Sequence, residues 1–188
     1  MQLAERDIPA VILAGGHGRR IGGDKAKVLL AGKPLWRHVL ARLEPQVGLV
    51  SMNAGESFGA LPRVADEVPG LGPLGGVLAA MVWAEGAGAA RVLTVAVDTP
   101  FLPMDLVARL AAVEGRIVVA ATADGLHGTT ALWDVGLATE LRAALADGTR
   151  KVTAWAGAMG VQTAHFEDAG AFFNVNTPED LAVAEARL

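Results

Sequence analysis

Short runs of apolar residues alternate with longer stretches of helical spacing along the 188-residue chain. Residues 10–13 form a compact apolar run after Pro9, which reads as a buried strand. Positions 35, 36, 39, 40 and 43 are apolar at helical spacing, and Pro34 suits the first turn of that helix. Strands are expected at 47–52 and, more briefly, at 63–65, followed by a helix at 74–84. Residues 91–97 (RVLTVAV) are β-branched and almost wholly apolar, as a central strand buried on both faces would be. A helix at 104–113 follows, with Pro103 near its entry. Strands at 116–121 and 129–133 are joined across the Asp124-Gly125 turn signal. Helices at 137–145 and 152–159 and a strand at 161–166 come next. Thr177 as N-cap, Pro178 at the first position and the acids Glu179 and Asp180 in the first turn open a last helix. This alternation predicts an α/β fold: a Rossmann-like, three-layer domain whose mostly parallel sheet is covered on both faces. No repeat or linker divides residues 1–188, so a single domain is expected.

Composition narrows the chemistry. Hydrophobic residues make up 52% and charged residues 19%, enough apolar material for a sizeable core. The absence of Cys excludes disulfide scaffolds and thiolate metal sites. With 5% aromatics and a net charge of −4, a broad nucleic-acid surface is not expected. No apolar window approaches the roughly 20 residues of a membrane span. Nor does the N-terminus have the form of a secretory signal, so a cytoplasmic protein is expected. Three of the four Lys (Lys25, Lys27 and Lys33) nevertheless lie within nine residues, just after Arg19 and Arg20. That points to one local anion site.

In an open α/β sheet, ligands bind beyond the carboxyl ends of the strands. The first strand is followed by five Gly between positions 15 and 23. Glycine lets backbone N–H groups approach an anion closely, and Arg20 and Lys25 would add full charges suited to a triphosphate. The loop is not a Walker A motif, because Asp24 separates Gly23 from Lys25 and Ala26 follows the Lys. It lacks the third Gly of a dinucleotide fingerprint, with Ile21 in that place. A second stretch, Gly70-Leu71-Gly72-Pro73-Leu74-Gly75, does satisfy G-x-G-x-x-G. It supports a rival reading as an NAD(P)-binding oxidoreductase. Against that rival, residues 66–69 separate it from the preceding strand, and Pro73 lacks an N–H for pyrophosphate. A non-catalytic nucleotide-binding regulator is a third reading. The loss of Lys25 or Asp98 would have favoured it, and both are present.

Candidate side chains follow the strands. Asp98 ends the central strand, where it either caps a turn or offers a hard oxygen to Mg²⁺. Asn53 reads as a turn former or, through its amide, as a contact to base or ribose. Asn174 and Asn176 alternate with Val175 and so share a face. They read equally as a ligand-binding pair and as Asx contacts that order the last helix. His127, beside Thr129 and Thr130, reads as a surface residue or as an oxyanion contact.

Leu13-Ala14-Gly15-Gly16 and Arg20-Ile21-Gly22-Gly23-Asp24-Lys25 resemble the nucleotidyltransferase signature Leu-Ala-Gly/Ala-Gly followed by Arg-Met-Gly-x-x-Lys. The paired Gly and the Asp before Lys are similar to the molybdenum cofactor guanylyltransferases, the MobA family. Gly32-Lys33-Pro34-Leu35, Gly72-Pro73-Leu74-Gly75-Gly76, Asp98-Thr99-Pro100-Phe101 and the segment Phe173-Asn174-Val175-Asn176-Thr177-Pro178-Glu179-Asp180-Leu181 also match that family in order. One departure is His127-Gly128-Thr129, where the family often has His-Pro-Thr.

The resemblance implies transfer of GMP from GTP to the terminal phosphate of molybdopterin or Mo-molybdopterin, with Mg²⁺. The alternative within the chemistry is a pterin cytidylyltransferase or another nucleotidyltransferase. It implies a GTP-binding half over about residues 8–100 and a pterin half over about 101–188. GTP would lie on Leu13, Ala14, Gly15, Gly16, Lys25, Asn53, Asp66 and Asp98. Lys25, Arg20 and Asp98 would be catalytic, with Asp98 also the metal ligand. Asn174, Asn176 and Thr129 would contact the pterin. A monomer making transient contacts with molybdenum-insertion proteins is the implied assembly. An acceptor-only carboxylate at Asp66 could take the N1–H and 2-amino donors of guanine, a pair that cytosine and adenine lack.

Overall fold

The computed structural model describes residues 7–15 and 24–188. Among these are nine strands and six helices, and seven of the strands and all six helices follow the expected order. The main sheet has seven strands in the order β5-β4-β1-β6-β8-β7-β9. Its members are β1 (Ala10–Leu13), β4 (Val50–Asn53), β5 (Arg63–Val64), β6 (Arg91–Ala96), β7 (Ile117–Thr122), β8 (Gly125–Asp134) and β9 (Gln162–His165). Only β8 runs against its neighbours, pairing antiparallel with both β6 and β7. The remaining pairs are parallel. The expectation of a mostly parallel sheet is met.

The central strands are buried on both faces because both faces are covered. Along β1, Ala10 and Ile12 enter one core while Val11 and Leu13 enter the other. The first core lies under α1 (Leu35–Leu43) and α3 (Leu106–Ala111). The second lies under α2 (Pro73–Gly86), α4 (Ala138–Ala146) and α5 (Val152–Ala158). Burying each large aliphatic chain contributes about 1.5–3 kcal/mol, so this two-sided burial is what holds β1 and β6 in the centre. A third, small cluster of Leu30, Leu35, Val175 and Ala184 seats the last helix, α6 (Pro178–Glu185).

The boundaries differ from the sequence expectation in informative places. α3 is shorter than 104–113, starting after Asp105 and ending at Ala111. β4 begins at Val50 rather than 47 and runs to Asn53. A small hairpin was not foreseen: β2 (Leu29–Leu30) pairs with β3 (Lys33–Pro34) across Ala31 and Gly32. Both turn residues have positive φ, at 47° and 76°, as a two-residue hairpin turn of primed type requires. Pro34 is consequently the N-cap of α1 rather than its first residue.

The β7–β8 pair carries an irregularity. Ala131 stands opposite Val119, but His127 stands opposite Ala120. Gly128, Thr129 and Thr130 therefore bulge from the ladder. A Cβ at Gly128 would lie 3.2 Å from Thr153 and 3.4 Å from Val152, so α5 leaves little room for a larger residue there.

Candidate active site

A cavity of about 720 Å³ opens at the carboxyl ends of β1, β4 and β6. Most of the sequence-predicted residues line it: Leu13, Ala14, Gly15, Lys25, Asn53, Asp66, Asp98, Thr129, Asn174 and Asn176. The parallel strands explain the convergence, since their chain ends all emerge on one edge. Ala14 N–H extends the ladder to Asn53 O at 2.9 Å, and Val97 N–H to Leu13 O at 3.1 Å. Gly16 and Arg20, with the rest of residues 16–23, lie outside the described residues.

Three groups meet on one side. Asp24 caps a short 3₁₀ turn, accepting from Ala26 N–H at 3.1 Å, and so sets the start of Lys25–Lys27. From there Lys25 Nζ donates to Asp98 Oδ2 at 2.8 Å and to Asn176 Oδ1. Both partners of the ion pair are mostly buried, with side-chain exposures of 20% and 14%. Val175 N–H donates to Asp98 O at 2.9 Å, which ties the C-terminal segment to the end of β6.

Asn176 is held in turn by the start of α6. Its N–H and that of Thr177 both donate to Asp180 Oδ2 at 2.9 Å, and Asp180 N–H returns to Thr177 Oγ1 at 3.1 Å. Thr177 is the N-cap expected from the sequence, and with Asp180 it completes a capping box. The Asn176 N–H, more than any other contact, holds the Asp180 carboxyl below the usual carboxylate range. Of the two readings of the Asn pair, Asn176 does order the helix entry through its backbone, yet its side chain faces Lys25. Asn174 is exposed and lines the cavity.

On the other side, across β1, Asn53 is buried at 4% exposure. Its Nδ2 donates to Asp66 Oδ1 at 2.7 Å and to Val64 O at 3.1 Å. Here the amide acts as a bracket that aims Asp66 into the cavity. The bracket needs Gly76 in α2, where a Cβ would fall 2.6 Å from Asn53 Oδ1 and 3.0 Å from Leu13 Cδ2. β4 and β6 flank β1, so the Asn53–Asp66 and Lys25–Asp98 pairs stand two strand spacings apart, roughly 10 Å. That is about the reach from a purine to its phosphates.

A second cavity of about 430 Å³ adjoins the first, and Pro73, Thr129 and Asn174 line both. Its wall holds His127, Thr130, Arg150 and Lys151. His127 is not a solvated turn residue. Its ring stacks on Phe172 at 4.4 Å and 13°, and its Nε2 lies 2.9 Å from Thr122 Oγ1. Burial lowers its pKa, outweighing the nearby Asp124. Thr129 is fixed from the core: Trp133 Nε1 donates to Thr94 Oγ1 at 2.7 Å, and Thr94 Oγ1 donates to Thr129 O at 2.8 Å. The sequence reading missed Arg150 and Lys151. The available signal was a cationic pair after the Gly148 that stops α4. Arg150 Nη1 binds Leu145 O and Thr149 O at 2.7 and 2.8 Å, leaving Lys151 to face the cavity beside it. A wider cleft of about 770 Å³ between α1, α3 and the segment after β9 is lined by none of the predicted residues.

The donor set around Asp98 bears on a metal. Among the described residues no cluster of three or more His, Asp or Glu side chains could hold an ion alone. One carboxylate beside an amide oxygen, at the edge of a cavity sized for a nucleotide, suits a hard cation that takes its remaining ligands from phosphates and water. Among those residues, too, no helix is long and apolar enough to cross a membrane.

Comparison with known proteins gives concordant matches. The family model described as MobA-like NTP transferase domain matches residues 10–163. A protein of Cereibacter sphaeroides named molybdenum cofactor guanylyltransferase is 46% identical over 185 residues, 95% of each chain. A protein of the same name from Rhizobium leguminosarum bv. trifolii is 41% identical, covering 97% of this chain and 94% of its own. Among solved structures, molybdopterin-guanine dinucleotide biosynthesis protein A of Archaeoglobus fulgidus superposes with a TM-score of 0.79 at 25% identity. That match covers 96% of this chain and 98% of the other. The 2-C-methyl-D-erythritol 4-phosphate cytidylyltransferase of Thermus thermophilus shares the fold, with a TM-score of 0.67 at 24% identity over 95% and 97% of the two chains.

Proposed function

The chain belongs to the MobA-like NTP transferase family, and from that premise we propose that it transfers GMP from GTP to the terminal phosphate of molybdopterin or Mo-molybdopterin. An oxygen of that phosphate forms a bond to the α-phosphorus of GTP, and the bond from the α-phosphorus to the bridging oxygen of the β-phosphate breaks. Pyrophosphate leaves, and the product is a molybdopterin guanine dinucleotide. The attacking phosphate is already an anion, so no general base is required. The observation that carries this reading is the pairing, in one cavity, of a Lys25–Asp98–Asn176 cluster with an Asn53-bracketed Asp66 about one nucleotide's length away.

In this reading Asp66 accepts the two donors of the guanine edge, and Leu13, Ala14 and Gly15 supply the backbone floor beneath the nucleotide. Lys25 stabilises negative charge on the phosphates, joined by Gly16 and Arg20 from the glycine loop. The family generally uses a divalent metal. Asp98, with Asn176 beside it, would hold Mg²⁺, which when bound supplies charge neutralisation on the phosphate oxygens. Asn174, Thr129 and the adjoining cavity with Lys151 receive the acceptor, whose phosphate and pterin offer anionic and hydrogen-bonding groups. Catalysis then comes from positioning and electrostatics more than from proton transfer. Residues before about position 100 serve the nucleotide and those after it, apart from Asn176, serve the acceptor.

A thermal-shift comparison of GTP, CTP, ATP and NADH, each with Mg²⁺, tests the base and cofactor choice. A ligand at 100 times its Kd adds about 2.7 kcal/mol of stability, a clear rise in Tm. GTP alone is expected to give it. A response to NADH without one to GTP would overturn the reading in favour of the oxidoreductase. A larger response to CTP would favour the cytidylyltransferase.

A further inference from the structure

The segment that carries Asp66 runs from the end of β5 at Val64 to the start of α2 at Pro73. It is an irregular loop, residues 65–72, with Val68 54% exposed and Gly70 and Gly72 at φ of +84° and +70°. Such a loop is a poor platform for a base-reading carboxylate unless something fixes it. Among the described residues, two side-chain tethers do. One is Asn53, holding Asp66 from the buried side. The other grips the next residue, Glu67, from a helix 75 positions further on.

That second tether is a fork. Arg142 Nε donates to Glu67 Oε2 at 2.9 Å, and Arg142 Nη2 donates to Glu67 Oε1 at 2.7 Å. Two parallel bonds restrict rotation as well as distance, which a single ammonium cannot do. Arg142 stands on α4, which packs against α2. The fork therefore ties the loop to the helical layer behind the sheet, while Asn53 ties it to the sheet itself. The Arg142 hydrogen bonds hold the Glu67 carboxyl below its ordinary range.

We propose that Arg142 is a positioning residue for base recognition: by gripping Glu67 it fixes the loop from which Asp66 reads the guanine edge. This rests on the assignment of Asp66 above. Asp66 lines the cavity, whereas its neighbour Glu67 lies outside the cavity wall. Arg142 touches no substrate and acts only through the backbone between the two acids. Its pair with Glu67 is partly solvated, with side-chain exposures of 50% and 35%, which limits its effect to about fivefold.

The test is steady-state kinetics with GTP and ITP, whose base lacks the 2-amino donor. The variants are Arg142→Ala, Arg142→Lys, Glu67→Arg and the charge-swapped pair Arg142→Glu with Glu67→Arg. Each single change is expected to raise KM for GTP severalfold, up to about fivefold, leave kcat within about twofold, and narrow the preference for GTP over ITP. Arg142→Lys should recover only part of the loss, and the swapped pair most of it. Melting curves should remain cooperative, since both side chains are at the surface. The proposal is overturned if Arg142→Ala leaves KM and the GTP-to-ITP ratio unchanged, lowers kcat instead, or causes a loss that the swap does not repair. Asp66→Asn separates the two levels. If it leaves the GTP-to-ITP ratio intact, the assignment of Asp66 itself fails. If it collapses that ratio while Arg142→Ala does nothing, only the brace fails.

Discussion

The side of the cleft proposed to take the nucleotide and the side proposed to take the acceptor are built on opposite kinds of strand pairing. On the nucleotide side, β4, β1 and β6 are parallel neighbours. Their ends emerge together, and the candidate groups come at or just after those ends: Asn53 closing β4, Ala14 and Gly15 after β1, Asp98 after β6. On the acceptor side, β8 runs antiparallel between β6 and β7. The wall is then made from the middle of a strand, where Gly128, Thr129 and Thr130 bulge out, and from Lys151 at the start of α5. The contrast teaches where to look. In the parallel half the candidate groups sit where strands stop, whereas in the antiparallel half they sit where the ladder is broken.

The comparison can be broken at its strongest point first. Asp98→Ala or Lys25→Met should lower turnover by about 10²–10³, the usual cost of losing a preorganised charge at reacting phosphate. Pyrophosphate release measures it, and melting curves should show the fold intact. Full turnover in both variants would remove the catalytic role from the nucleotide side. Gly76→Ala is a structural probe of the same side. Its Cβ would collide with Asn53 Oδ1, so a loss of about 1–3 kcal/mol in stability and weaker GTP binding are expected from thermal melts with and without nucleotide. An unchanged response to GTP would mean that the Asn53 bracket is dispensable.

The acceptor side gives smaller effects. Lys151→Ala should raise KM for the molybdopterin acceptor by about tenfold or less and leave KM for GTP unchanged. A rise in both would merge the two cavities into one functional unit. His127 gives the smallest. Its folded pKa lies below the unfolded value, so the unfolded chain takes up a proton first as pH falls. Stability should be full above about 6.5 and decline below it, down to the folded pKa. His127→Gln should flatten that part of a Tm-against-pH curve.

Much of the nucleotide side was legible in the chain because its determinants are local. An apolar run ending in Asp98 announces both a buried strand and a polar group at its tip. Thr177, Pro178 and Asp180 announce a helix start, and the capping box is there. Other features were not legible. The Ala31-Gly32 hairpin gave no alternating pattern, because its two strands are two residues each. Glu67 and Arg142 carry no local signal, since they are partners 75 positions apart, and Arg150 and Lys151 gain their place only from the second cavity that they line. Asn53 was read as a direct nucleotide contact or a turn former, and its role as the bracket for Asp66 depends on the β5 loop returning beside β4.

By itself, the sequence determined the order of elements, the double-sided burial of β1 and β6, and the placing of the glycine loop, Lys25 and Asp98 at strand ends. These follow from periodicity and backbone preference, which act over a few residues. Only the tertiary structure decided that Lys25 meets Asn176 across 151 positions, that Asn53 aims Asp66, and that β8 inserts antiparallel and bulges to line the second cavity. Those outcomes depend on which elements pack side by side. That is settled by burying the faces of the whole sheet at once, and no local stretch of chain encodes it alone.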